Sequence, residues 1–148
     1  MVAGEFEGLG VEQCASGTVY FGEWAGDEKR GFGVLQFAEG HRYCGEFAAD
    51  KADGYGVHRL QEGNSQSGTY RCGARLGDCI HESASGERTF CHVLDDSSET
   101  NAVPFDDTNA DHARVLEAAR SAEARAMQAQ RDALQLCQAS LTLPHRPP

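Results

Sequence analysis

Cations are scarce in this sequence. Lys and Arg number 13 against 23 Asp and Glu, a net charge of −10. The shortage holds in both halves: 14 acids to 8 Lys/Arg up to His92, then 9 to 5. Nucleic acid is bound chiefly by neutralising phosphates with Lys and Arg, and anionic membrane surfaces make the same demand. Both are therefore disfavoured as partners. Long apolar runs are lacking as well, and no stretch approaches a membrane span. The start, Met1-Val-Ala-Gly-Glu-Phe6, has no apolar segment and an early acid, which argues against a secretory signal or mitochondrial presequence. Without such a signal Cys14, Cys44, Cys72, Cys79, Cys91 and Cys137 are expected to be reduced. Proline stands at 4, and glycine is absent after Gly86 although 17 precede or include it. That break divides the chain into two structural regimes.

What the first regime has is a rhythm. Written in blocks of 23, Gly22, Gly45 and Gly68 align, as do Gly8, Gly31, Gly54 and Gly77. Gly10, Gly33 and Gly56 form a column that ends in Cys79; Gly17, Gly40, Gly63 and Gly86 form another. Apolar columns follow: Val11, Val34, Val57, Ile80; Trp24, Phe47, Tyr70; Cys14, Phe37, Leu60; Tyr20, Tyr43. Agreement of so many columns on one period identifies a repeat architecture.

Within a unit the parity is that of strands. Tyr20, Gly22 and Trp24 alternate with Phe21 and Glu23. A polar stretch, Ala25 to Arg30, predicts a hairpin turn. Gly31-Phe-Gly-Val-Leu-Gln-Phe37 then supplies a second strand, with Gly33, Leu35 and Phe37 on one face. Ala38-Glu-Gly40 turns the chain again. Each repeat is thus one hairpin, and successive hairpins make an antiparallel meander. Glycines inside strands are explained if aromatic rings lie across them.

Tyr20-Phe-Gly-Glu-Trp24 with Gly31-Phe-Gly33 and Gly40, then Tyr43-Cys-Gly-Glu-Phe47 with Gly54-Tyr-Gly56 and Gly63, resemble MORN (membrane occupation and recognition nexus) repeats. A first unit, Gly4-Glu-Phe6 with Gly8-Leu-Gly10, has a shortened hairpin loop. A fourth, Ser67-Gly-Thr-Tyr70, is decayed: Gln66 replaces the leading Tyr and Cys79 a Gly. The resemblance implies an elongated, twisted, single-layer sheet. It also implies a non-catalytic scaffold in flagellar, axonemal or other cytoskeletal assemblies of the cytoplasm. A peripheral membrane tether and an accessory subunit of an enzyme complex are the alternatives.

The expected architecture is therefore mostly β with a C-terminal α-helix. Its parts are a repeat sheet over 1–92, an acidic linker over 93–109, a helix over 110–141 and a Pro-rich tail over 142–148. Thr108, Asn109 or Asp111 is the expected helix cap. The helix carries a small-residue stripe, Ala119, Ala122, Ala126, Ala129, Ala133 and Leu136, with Val115, Met127, Leu134 and Leu141 beside it. It is read either as a brace on the sheet's apolar face or as a contact for a partner helix. Leu143-Pro-His-Arg-Pro-Pro148 reads as a frayed end or a polyproline ligand.

A one-layer sheet cannot bury both faces alone. The face bearing Tyr20, Trp24, Leu35, Phe37, Tyr43, Phe47, Leu60 and Tyr70 is expected to meet a protein partner, together with Met127 and Leu134 of the helix. No cofactor or catalytic residue is expected. Gly31-Phe-Gly33 is a repeat element rather than a phosphate loop, and no histidine pairs by spacing with a nucleophile and a carboxylate. Cys72, Cys79, His81, Cys91 and His92 are metal-ligand types, but their spacing does not match a zinc knuckle. No metal is expected.

Overall fold

The computed structural model describes residues 8–95 and 98–139. These residues form one antiparallel meander and one long helix. The strands are β1 (Gly8–Gln13), β2 (Val19–Ala25), β3 (Glu28–Gln36), β4 (Arg42–Ala48), β5 (Lys51–Arg59), β6 (Ser65–Arg71), β7 (Ala74–Glu82), β8 (Arg88–Val93) and β9 (Val103–Pro104). They pair strictly in chain order. The helix, α1, spans Ala110–Ala139. The first strand expected of the first unit, around Gly4 and Phe6, lies outside the described residues, as do Leu141 and the proline tail.

The repeat dictates the register. Gly10 faces Gly22, Gly22 faces Gly33, Gly33 faces Gly45, Gly45 faces Gly56 and Gly56 faces Gly68. Burial alternates along β2, where Tyr20, Gly22 and Trp24 are inside. The hairpin turn is tighter than the polar stretch suggested. β2 runs to Ala25 and β3 opens at Glu28, so only Gly26 and Asp27 turn the chain, at φ of 57° and 67°. Ala49-Asp50 and Cys72-Gly73 repeat that left-handed pair. Such two-residue turns match the natural twist of paired strands.

Each unit also carries a bulge, with pairing skipped between Gly22 and Trp24, Gly45 and Phe47, and Gly68 and Tyr70. The single residue left in that gap, opposite three on the next strand, is put to use. Glu23 accepts the Phe32 N–H at 2.7 Å, and Glu46 accepts the Tyr55 N–H at 2.7 Å. In the fourth unit Thr69 stands in that column, and its hydroxyl donates to the Leu76 carbonyl. The unit whose residues have decayed most thus keeps the repeat's geometry.

Asn109 is the helix cap. Its Oδ1 accepts the N–H groups of Asp111 (2.9 Å) and His112 (3.2 Å), satisfying first-turn donors that have no partner within the helix. His112 stacks on Phe90 at 4.0 Å and fixes where the helix begins. From there the buried stripe is His112, Val115, Ala119, Ala122, Ala126, Ala129 and Ala133. Leu136, expected on that stripe, is 51% exposed.

The helix lies across β1 to β7. It packs on the sheet, but on the face opposite to the aromatic one, which corrects the side given in the brace reading. Ala126 meets Val34 and Cys44, with Phe21, Phe32 and Met127 around them. Arg59 holds Glu123 through two hydrogen bonds of 2.6 and 2.9 Å. Arg114 reaches the Tyr55 hydroxyl at 3.1 Å. Alanines allow the close approach that a sheet surface of Val and Cys invites. The stretch before the helix is more ordered than its acidity suggests: Glu99 bridges to Val93, and β9 pairs with β8.

Candidate interaction face

The aromatic face is built by rings lying on glycines. A Cβ at Gly33 would sit 2.3 Å from the Tyr20 hydroxyl, and one at Gly56 2.3 Å from that of Tyr43. Each hydroxyl then donates to a carbonyl of its own strand, Tyr20 to Glu23 at 3.0 Å and Tyr43 to Glu46 at 3.1 Å. Burial pushes the hydroxyls of Tyr20, Tyr43 and Tyr70 well above the ordinary phenol range, so they stay neutral donors.

The rings continue from unit to unit as an edge-to-face ladder. Trp24 meets Tyr20 at 5.2 Å, Tyr20 meets Phe47 at 5.1 Å, Phe47 meets Tyr43 at 5.3 Å and Tyr43 meets Tyr70 at 4.8 Å. Interplanar angles of 76–89° are those favoured by the ring quadrupole. The ladder therefore covers itself. Tyr20, Trp24, Tyr43, Phe47 and Tyr70 are 7% exposed or less. The expectation of a broad apolar face awaiting cover is corrected accordingly. Leu35, Phe37 and Leu60 remain half-exposed. On the helix, Met127 is half-buried against the Val34 cluster and Leu134 is 39% exposed.

One opening interrupts the ladder, and the repeat explains where. Lys29, Ala52 and Arg75 occupy one column, facing Trp24, Phe47 and Tyr70 respectively. Lys29 lies 5.5 Å from the ring centres of both Tyr20 and Trp24, held by Glu12 and Asp50. At the central position the occupant is only Ala52. There a cavity of about 230 Å³ opens, lined chiefly by Leu35, Phe37, Phe47, Ala52, His58 and Tyr70. Phe37 stacks on His41 at 4.4 Å, and His41 Nδ1 lies 2.8 Å from His58 Nε2. Burial first, and then the neighbouring His41, lower the pKa of His58.

Sequence reasoning named Leu35, Phe37, Tyr43, Phe47 and Tyr70 of this lining and missed Ala52 and His58. The column of Lys29, Ala52 and Arg75 was visible in the period. Its meaning needs the pairing that sets Ala52 against Phe47. Of the metal-ligand types, the structure gathers Cys79, His81 and Cys91. Cys72 sits exposed in a turn, and His92 turns to Asp78 at 3.1 Å.

The MORN repeat family model matches residues 1–19, 20–42 and 43–65. Residues 1–65 carry three MORN repeats. Two of the matched MORN units, 20–42 and 43–65, keep their glycine and aromatic columns intact, and the structure extends their register through β6 and β7. No curated protein matches the chain. MORN repeats are protein- and membrane-interaction motifs. Among the described residues, no helix is long and apolar enough to cross a membrane.

Proposed function

We propose that this MORN chain is a non-catalytic scaffold subunit that seats an apolar side chain of a protein partner in the cavity over Ala52. The observation that carries the reading is the cavity itself, an opening in the middle of a ladder of rings that otherwise cover one another. Its walls are chiefly apolar and aromatic, with His58, Asp50 and Lys51 as polar groups, the composition of a recognition pocket. Asp50 is engaged in holding Lys29, whose backbone N–H it accepts at 2.8 Å. The partner is a protein rather than nucleic acid or an anionic membrane, given the net charge of −10. A flagellar, axonemal or other cytoskeletal assembly is the setting taken from family resemblance.

The sequence supplies its own reporter. Its lysines are Lys29 and Lys51, and Lys51 lines the cavity. Amine-reactive crosslinking of the full chain to a co-purifying partner is expected to join that partner through Lys51. A stable partner that crosslinks through Lys29 and never through Lys51 would refute the assignment.

A further inference from the structure

In the fourth unit the ring-on-glycine device is gone. Gln66 stands in the column of Tyr20 and Tyr43, and Cys79 in that of Gly33 and Gly56. Cys79 pairs directly with Cys91 across β7 and β8. His81, two residues along the strand, shares that face. Glu99, fixed by its bridge to Val93, brings a carboxylate to the same point.

The sulfurs of Cys79 and Cys91 and a ring nitrogen of His81 lie within 4.8 Å of one another. Cys79 Sγ is 3.9 Å from His81 Nε2. Glu99 Oε1 is 3.2 Å from His81 Nε2 and 3.4 Å from Cys91 Sγ. A tetrahedral zinc ion bonds sulfur at about 2.3 Å and nitrogen or oxygen at about 2.0–2.2 Å, so its donors are separated by roughly 3.3–3.8 Å. The spacings of 3.2, 3.4 and 3.9 Å are close to those edges. The second Glu99 oxygen is held by Arg75 Nη1 at 2.9 Å, which leaves Oε1 for an ion. Ligating carboxylates ordinarily have such an outer partner. Charge balances too: two thiolates and one carboxylate meet a dication and the Arg75 guanidinium. The cysteines are buried, whereas His81 and Glu99 are partly exposed and give an ion a way in.

We propose that Cys79, His81, Cys91 and Glu99 form a structural zinc site that clamps the β7–β8 hairpin to the chain at Glu99. The linear spacing looked wrong for zinc because cross-strand register, not a knuckle turn, gathers the ligands. On binding, four coordinate bonds form and the two thiols release their protons to solvent; nothing is oxidised.

The test uses the full chain, reduced and stripped with chelator, then titrated with Co²⁺ and with Zn²⁺. The expected result is one ion per chain, with thiolate-to-Co²⁺ charge transfer and intense tetrahedral d–d bands that Zn²⁺ abolishes. Cys79→Ser, Cys91→Ser and Glu99→Gln should each weaken binding by at least about tenfold, and Arg75→Gln by about 10- to 100-fold. Cys14→Ser and Cys72→Ser should leave it unchanged. Circular dichroism establishes that each variant is folded; Glu99→Gln alters an exposed position and keeps the test open if a cysteine variant unfolds. No binding by the reduced chain, a cobalt spectrum that survives Cys79→Ser/Cys91→Ser, or a Cys79–Cys91 disulfide trapped in protein taken directly from cells would overturn the proposal.

Discussion

A methyl group at Gly56 would meet the Tyr43 hydroxyl at 2.3 Å, with the ring's Cζ and Cε1 close behind. The neighbour is a buried ring rather than a flexible tip, so the clash cannot be relieved cheaply. Gly56→Ala is expected to lower unfolding free energy by about 1–3 kcal/mol in chemical denaturation. In a Tyr43→Ala background the same change should cost much less, because the two residues form one contact. His58 supplies a pH dependence. Its folded pKa lies below the unfolded value of about 6.5. The unfolded chain therefore takes up the proton first, and stability falls as pH drops below that value. The neighbouring His41 and the positive charge of Arg75 add to the penalty. The denaturation midpoint should decline from about pH 7 to about pH 5, and His58→Gln should flatten that decline. The ring-on-glycine pairs were legible in the sequence because both partners recur every 23 residues. The burial of Trp24 and Phe47 was not, since edge-to-face contact between units depends on twist and bulge geometry that no single unit displays.

At the scale of the element, two devices make a strand pair into a module: a left-handed two-residue turn and a bulge whose N–H is taken by the carboxylate opposite it. Glu46→Ala removes the acceptor of the Tyr55 N–H and should destabilise the fold by about 1–3 kcal/mol. The helix obeys a different constraint. Its existence and its cap followed from composition, since nothing from Ala110 to Ala139 breaks a helix. The face it chooses did not follow. An alanine stripe reads as close packing against any flat surface, and the aromatic face looked the larger. The structure shows that face already covered, which leaves Val34, Cys44 and Val57 to be buried by the helix side. Ala126 is fully buried there. Ala126→Leu should cost about 1–3 kcal/mol by overpacking, with faster hydrogen exchange in β3, β4 and β5, the strands beneath the helix.

The whole molecule is a thin sheet with two differently finished faces. One is closed by the helix, the other by its own rings, and its central unit is open because Ala52 stands where Lys29 and Arg75 stand in the flanking units. This asymmetry gives the most direct measurement of the interaction-face account. Ala52→Lys restores the kind of side chain that a neighbouring unit carries, so it fills the cavity without asking the fold for anything new. Calorimetric titration of a purified, crosslink-identified partner against the wild type and this variant should show affinity falling at least about tenfold, or about 1.4 kcal/mol, with an unchanged melting curve. Unchanged affinity in that folded variant would contradict the account and move the binding surface away from the aromatic ladder.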